Sequence, residues 1–181
     1  MKKYSIIKRV LWTTMLLFIV APVVVHAQDT GERVAADSKD AKILFVKSDP
    51  QMQGLFEKSY AYVIFPNVGK GAVGVGGAAG NGTVYEKAKI IGAAKMIQVS
   101  VGLQLGGQAY REVIFFEDKA ALERFKQGRL EFAGQTSAVA AKSGASSNVK
   151  YTEGVLVFTE EKSGLMYEAS IGGQKFTFNP L

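Results

Sequence analysis

Few side chains in this sequence are placed to do acid–base or nucleophilic chemistry. Two carboxylate pairs are adjacent, Glu117-Asp118 and Glu160-Glu161. Neighbours on a strand point to opposite faces, and on a turn both meet solvent, so neither pair is set up as an acid/base couple. Ser137, Ser143, Ser146 and Ser147 lack a nucleophile-elbow context. There is no cysteine, and His26 is the single histidine. A Cys/His zinc site, a thiol nucleophile and a disulfide are therefore excluded. Asp and Glu form no metal-type cluster. The chain is expected to be non-enzymatic and to carry no cofactor.

Glycine is the other candidate for chemistry. Seven of the fourteen residues from Gly69 to Gly82 are glycine, which raises phosphate binding. A P-loop needs Gly, four residues, then Gly-Lys-Ser/Thr. Here Gly69-Lys70 is followed by Gly71, and no glycine stands five positions before Gly69. A dinucleotide fingerprint could start at Gly74 and Gly76, but it requires a helix next. Asn81-Gly82 and Thr83-Val84-Tyr85 follow instead, reading as a turn and a strand. Glycines at GxxxG spacing count as membrane packing only inside an apolar helix of about 20 residues. The run is best read as sheet that bends or packs closely.

The N-terminus accounts for most of the charge. Residues 2–9 carry four bases and no acid, residues 10–25 are apolar apart from Thr13 and Thr14, and Val25-His26-Ala27 follows. That order reads as a secretory signal peptide, residues 1–27, cut after Ala27. Removing Lys2, Lys3, Lys8 and Arg9 leaves 18 bases against 16 acids, so the net charge falls from +6 to +2. The apparent basicity is thus no argument for nucleic acid. The expected location is exported and periplasmic, peripheral to a membrane.

The elements follow from periodicity and punctuation. Residues 28–36 are polar and expected to be flexible. A short helix is expected over 37–47, capped by Asp37 or Ser38, with Ile43, Leu44 and Val46 or Phe45 inward. A second follows Asp49-Pro50 to about Lys58, presenting Met52, Leu55 and Phe56. Strands then dominate. Ala61–Phe65 is expected to stop at Pro66, and Asn81-Gly82 to turn a hairpin. Residues 95–105 alternate, with Met96, Gln98, Ser100 and Gly102 on one face and Ile97, Val99, Val101 and Leu103 on the other. Residues 109–116 form another strand. Asp118–Gln127 is a capped helix with Ala121, Leu122 and Phe125 as its apolar stripe, ended by Gly128. Residues 137–141 suit a tightly packed strand or a short helix, with strand favoured, and residues 154–158, 164–171 and 174–178 complete the strands. The expected fold class is α+β, with a mainly antiparallel sheet curled or partly barrelled, short N-terminal helices and one internal helix.

Four ordered blocks carry a family resemblance: AYVIFPNVGKGAVGVGGAAGNG, SVGLQLGGQAYREVIFF, FKQGRLEFAG with SAVAA, and SGLMYEASIGGQKF. Together they resemble the SYLF domain across roughly 40–181, giving a lipid-binding domain over 37–181. The resemblance implies non-enzymatic lipid binding, since the family includes exported bacterial lipid-binding proteins and eukaryotic proteins that bind phosphoinositides and, in fungi, actin. Bacteria generally lack those two ligands, so a bacterial phospholipid is the implied class. The implied partner is an anionic phospholipid membrane surface, with no nucleic acid. The positions matching the family's basic, amphipathic N-terminal part are Lys42, Phe45, Lys47, Leu55, Phe56 and Lys58, with Lys70 beside the first glycine block. Lysines would meet phosphates, and Phe45 and Phe56 would enter the acyl boundary. Many members have an Asp after the Gly-Leu-Gln-x-Gly-x-Gln block; this chain departs from that with Arg111-Glu112. Two other readings are an envelope protein that binds a partner through a sheet face and a small outer-membrane barrel.

Overall fold

The computed structural model describes residues 26–73, 75–100, 108–132, 137–162 and 169–181. The expected export segment lies almost wholly outside these. Residues 1–30 and 31–181 form separate units; of the first only 26–30 are described, as the opening of a helix. The sheet and nearly all of its helical cover belong to the second unit.

Helix α1 spans His26–Ser48. It therefore takes in residues 28–36, expected to be flexible, and has no start at Asp37 or Ser38. Gly31 is the poorest helix former in that stretch, and a single glycine costs about 1 kcal/mol. Packing of the later half offsets it. Ser38 is buried and donates to Thr83 Oγ1 at 3.1 Å, holding α1 to the sheet. Ser38, Ala41 and Phe45 share the inward face, and Ile43, expected inward, is 65% exposed. The 3.6-residue period explains this, because Ile43 lies two residues from both Ala41 and Phe45. Helix α2, Met52–Lys58, buries Met52 and Phe56. Asp49 does not cap it directly. Its carboxylate accepts from the backbone N–H of Gln51 at 3.2 Å and of Ser146 at 2.8 Å, fixing the α1–α2 joint to a distant loop.

Among the described residues eight strands follow, with one α-helix and a 3-10 turn, Ala145–Asn148, between them: β1 Ala61–Val73, β2 Val75–Glu86, β3 Lys89–Ser100, β4 Gln108–Phe116, α3 Lys119–Lys126, β5 Ser137–Ala140, β6 Val155–Glu161, β7 Ala169–Ser170 and β8 Gln174–Pro180. The sheet order is β7-β5-β6-β4-β1-β2-β3-β8. Every pairing is antiparallel except β5 with β6. β7 and β8 sit at opposite ends of that order, yet only residues 171–173 join them. Four Cα steps reach at most about 14 Å, whereas the edges of a flat eight-stranded sheet stand about 33 Å apart. The sheet must therefore curl, as expected from the sequence, and α3 packs against the open seam. Phe125 of α3 and Phe132 meet Phe176 of β8 at 5.3 and 6.0 Å, and the Gly173 N–H donates to the Phe132 carbonyl at 3.2 Å.

Two cores result. Val63, Phe65, Val84, Met96, Ile114, Phe116 and Phe176 fill the concave side with α3. Tyr62, Ile64, Tyr85, Val113, Phe115 and Phe158 pack on the convex side under Phe45, Met52 and Phe56.

Two turn expectations fail. Pro66 does not stop β1; the register shifts between Ile64 and Asn67, so a bulge absorbs the proline's missing donor. Asn81-Gly82 lies within β2, where Asn81 pairs with both Asn67 and Lys95. Gly82 is needed there for space, since a Cβ would stand 2.7 Å from the Ile64 carbonyl oxygen and the Phe65 ring. The tight β2–β3 turn falls instead on Lys87 and Ala88, at φ 48° and 64°. These are the angles that favour Asn-Gly, adopted here by two side-chain-bearing residues.

Candidate functional site

The structure divides the residues assigned to lipid contact. Phe45 and Phe56 are buried in the convex core, so in this state they hold the helices to the sheet and do not face an acyl boundary. Phe56 is locked by rings, with Tyr62 at 5.1 Å and Phe115 at 4.9 Å. Lys42 is half-buried, its ammonium 4.9 Å from the Phe56 ring centre and 5.5 Å from that of Tyr62, a cation–π position inside the protein. Leu55 is half-buried, and Lys47 and Lys58 are exposed. The Lys70 side chain lies outside the described residues. The exposed stripe of α1 is Lys39, Ile43 and Lys47, one every four residues. Its apolar member is Ile43, which the sequence pattern had assigned to the core.

A second surface was not assigned from sequence. The helices cover only part of the convex sheet face; among the described residues it is exposed along β3, β8 and the Ala79–Asn81 part of β2. Ile97 and Val99 stand there 55% and 66% exposed. Register places Ile97 between Ala79 and Lys175, Lys95 between Asn81 and Thr177, and Val99 beside Gly77. Lys95, Lys175, Ala79, Asn81 and Thr177 are all exposed, and no acid lies on this face among the described residues. Alternation in 95–99 was the available signal: the polar Gln98 faces inward, which turns two β-branched chains outward.

A cleft of about 340 Å³ lies between α2 and the 144–151 loop, lined by Leu55, Lys58, Glu117, Ser146, Ser147 and Tyr151 among others. Asp49 sets the loop through Ser146 N–H, and Ser147 Oγ donates to Gln51 Oε1 at 2.6 Å. Burial, then the nearby Glu117 charge, raises the Tyr151 phenol above its usual range.

The concave side carries a buried carboxyl. Glu112 is fully enclosed; its Oε2 accepts from Gln174 Nε2 at 2.9 Å, and its Oε1 has no hydrogen-bond partner among the described residues. Burial pushes its pKa up to about 7 against that hydrogen bond. Thr159 stands opposite on β6, its Oγ1 also buried without a partner among the described residues. Gln174 follows the β7–β8 link, so this bond ties β4 across the interior to the strand that ends the sheet. Among the described residues no group of His, Cys, Asp and Glu could hold a metal ion.

These features define an α+β domain with a curled sheet, helices on part of its convex face, and an exposed apolar and basic remainder. Residues 97–180 match the family model Ysc84, described as Las17-binding protein actin regulator. The chain is also 30% identical over 146 residues to Beta cell expansion factor A of Aeromonas veronii, a match covering 75% of this chain and 52% of that protein. It thus spans about half the length of the curated relative it matches. The matches bear out the resemblance to the SYLF domain family that the four sequence blocks carry, with the family model itself spanning residues 97–180.

Proposed function

We propose that this protein is an exported, non-enzymatic phospholipid-binding protein of the cell envelope, acting at the surface of anionic membranes. The observation that carries the reading is the bare sheet face, where Ile97 and Val99 project beside Lys95 and Lys175 with no described acid among them. The SYLF resemblance supports lipid binding in general, and the charged, apolar, small-residue order of residues 2–27 supports export. The α1 stripe of Lys39, Ile43 and Lys47 offers the same chemistry on a second element. The open sheet, with α1 and α2 packed on its convex side, does not favour an outer-membrane barrel.

The energetics fit peripheral binding. Each lysine contributes about 1 kcal/mol near an anionic surface. Moving the exposed parts of Ile97 and Val99 into the acyl boundary adds about 1–1.5 kcal/mol each. The sheet face alone then gives about 4–5 kcal/mol, a Kd on the order of 10⁻⁴–10⁻³ M. The Lys95→Glu/Lys175→Glu variant should lose salt-sensitive co-sedimentation with anionic vesicles. Retained binding would reject this face as the contact.

A further inference from the structure

We infer that Glu112, Thr159 and Gln174 hold an alkali-metal cation inside the curled sheet, where β4, β6 and β8 face one another. The inference rests on three buried oxygens that no protein donor serves. Glu112 Oε1, Thr159 Oγ1 and Gln174 Oε1 have no hydrogen-bond partner among the described residues. Their residues are 0%, 2% and 0% exposed. The three stand together. Glu112 and Thr159 are cross-strand partners on one face, which sets their Cβ atoms about 4.5–5.5 Å apart. Gln174 Nε2 donates to Glu112 Oε2 at 2.9 Å. That bond fixes the amide, so its oxygen lies beside the carboxyl as an acceptor without a donor. Gln98, cross-strand from Gln174, donates to the Gly172 carbonyl at 3.0 Å and extends the polar layer. Buried polar groups are almost always paired, so three from three strands at one place call for an occupant.

The ligand set selects the occupant. It is one carboxylate, one amide carbonyl and one hydroxyl, all hard oxygen donors to a metal. Without sulfur or imidazole it lacks what zinc and the softer transition metals prefer. One carboxylate carries one negative charge. A monovalent cation neutralises it, whereas a divalent one would leave net positive charge in the interior, which is costly. The next acid on that face of β6, Glu161, is only half-buried and pairs in register with Tyr110. A water molecule supplies protons but no charge, and leaves an ionised Glu112 uncompensated. The occupied site joins β4 and β6 to β8, whose Lys175 is exposed on the bare face. The cation braces the β8 end of that face from within. Cation and proton contend for one carboxyl, so the pH dependence of wild-type stability reads burial alone in an alkali-free buffer.

The test is thermal unfolding of the full chain at pH 8 and fixed ionic strength, in sodium, potassium, magnesium and tetramethylammonium chlorides. Tetramethylammonium is too bulky for three converging oxygens and serves as the reference. Sodium or potassium should raise Tm saturably, by about 3 °C or more over that reference. Magnesium should add nothing to it. Glu112→Gln and Thr159→Val keep the side-chain shapes, so each should stay folded and lose the alkali response. Crystals grown in rubidium chloride should show an anomalous peak between the three oxygens. Equal Tm in all four salts, an alkali response retained by Glu112→Gln, a larger response to magnesium, or a water alone between the oxygens would overturn the inference. Ile97→Ser/Val99→Ser should leave the alkali response unchanged, which separates failure of this site from failure of the membrane surface.

Discussion

Replacing Glu112 by Gln should change how stability depends on pH, in a direction fixed by burial. Glu112 is fully enclosed, and its pKa rises from 4.5 to about 7 in the fold. A raised carboxyl binds its proton more tightly folded than unfolded. Its contribution is therefore fully present below pH 4.5 and is lost as pH climbs through 4.5 to 7. The shift of about 2.5 units corresponds to about 3 kcal/mol by pH 8. The Gln side chain keeps the shape and can still accept from Gln174 Nε2, but it cannot ionise. Urea unfolding of both proteins from pH 4 to pH 8 reads the effect. The Glu112→Gln variant should gain about 3 kcal/mol on the wild type between pH 4 and pH 8, or about 6–12 °C in Tm. Taking the difference between the proteins cancels other titrating groups, such as Asp49, whose carboxyl its backbone N–H partners hold low against the opposing effect of burial. A difference that stays flat from pH 4.5 to pH 8 would refute the assignment of Glu112 as a buried carboxyl that resists ionisation.

Five further substitutions test the packing. Gly82→Ala should destabilise by about 1–3 kcal/mol in denaturant titration, because its Cβ meets the Ile64 carbonyl oxygen at 2.7 Å. Gly69→Ala, with nothing within 4 Å of its Cβ, should cost less than about 1 kcal/mol. Phe45→Ala should cost about 3–5 kcal/mol of stability, whereas Ile43→Ser should stay within about 0.5 kcal/mol, the opposite of an inward Ile43. Ala88→Gly should raise Tm, relieving positive φ at 64° by about 0.5–1 kcal/mol.

Local chemistry was readable in the sequence, and long-range geometry was not. Helix α3 was legible because Asp118 accepts from the Ala121 N–H at 2.8 Å and Ala121, Leu122 and Phe125 share one face, all within ten residues. The curled sheet was legible from many short strands and glycines. Asn81-Gly82 misled because a strand interior and a turn both accept Asn-Gly. What decides is the Pro66 bulge on the neighbouring strand, which brings Ile64 and Phe65 against Gly82. The extent of α1 was hidden for a similar reason, since its support comes from Thr83, far along the chain. The site followed the same division. Residue types put lysines and bulky apolar chains in 42–58, but only the fold shows Phe45 and Phe56 turned into the core and Ile97 and Val99 turned out. No periodicity could reveal that α1 and α2 stop short of β3 and β8. The cleft joins α2 to a loop about ninety residues away through Asp49 and Ser146, a pairing no local pattern encodes.

The central claim is membrane-surface binding through the bare sheet face, and vesicle co-sedimentation tests it most directly. The protein should sediment with anionic vesicles and not with neutral ones, and should be released by salt. Ile97→Ser/Val99→Ser should weaken that binding roughly thirtyfold, matching about 2 kcal/mol of lost apolar burial, with an unchanged unfolding midpoint. Equal sedimentation with neutral and anionic vesicles, sedimentation with neither, or full binding by the double variant would contradict the account.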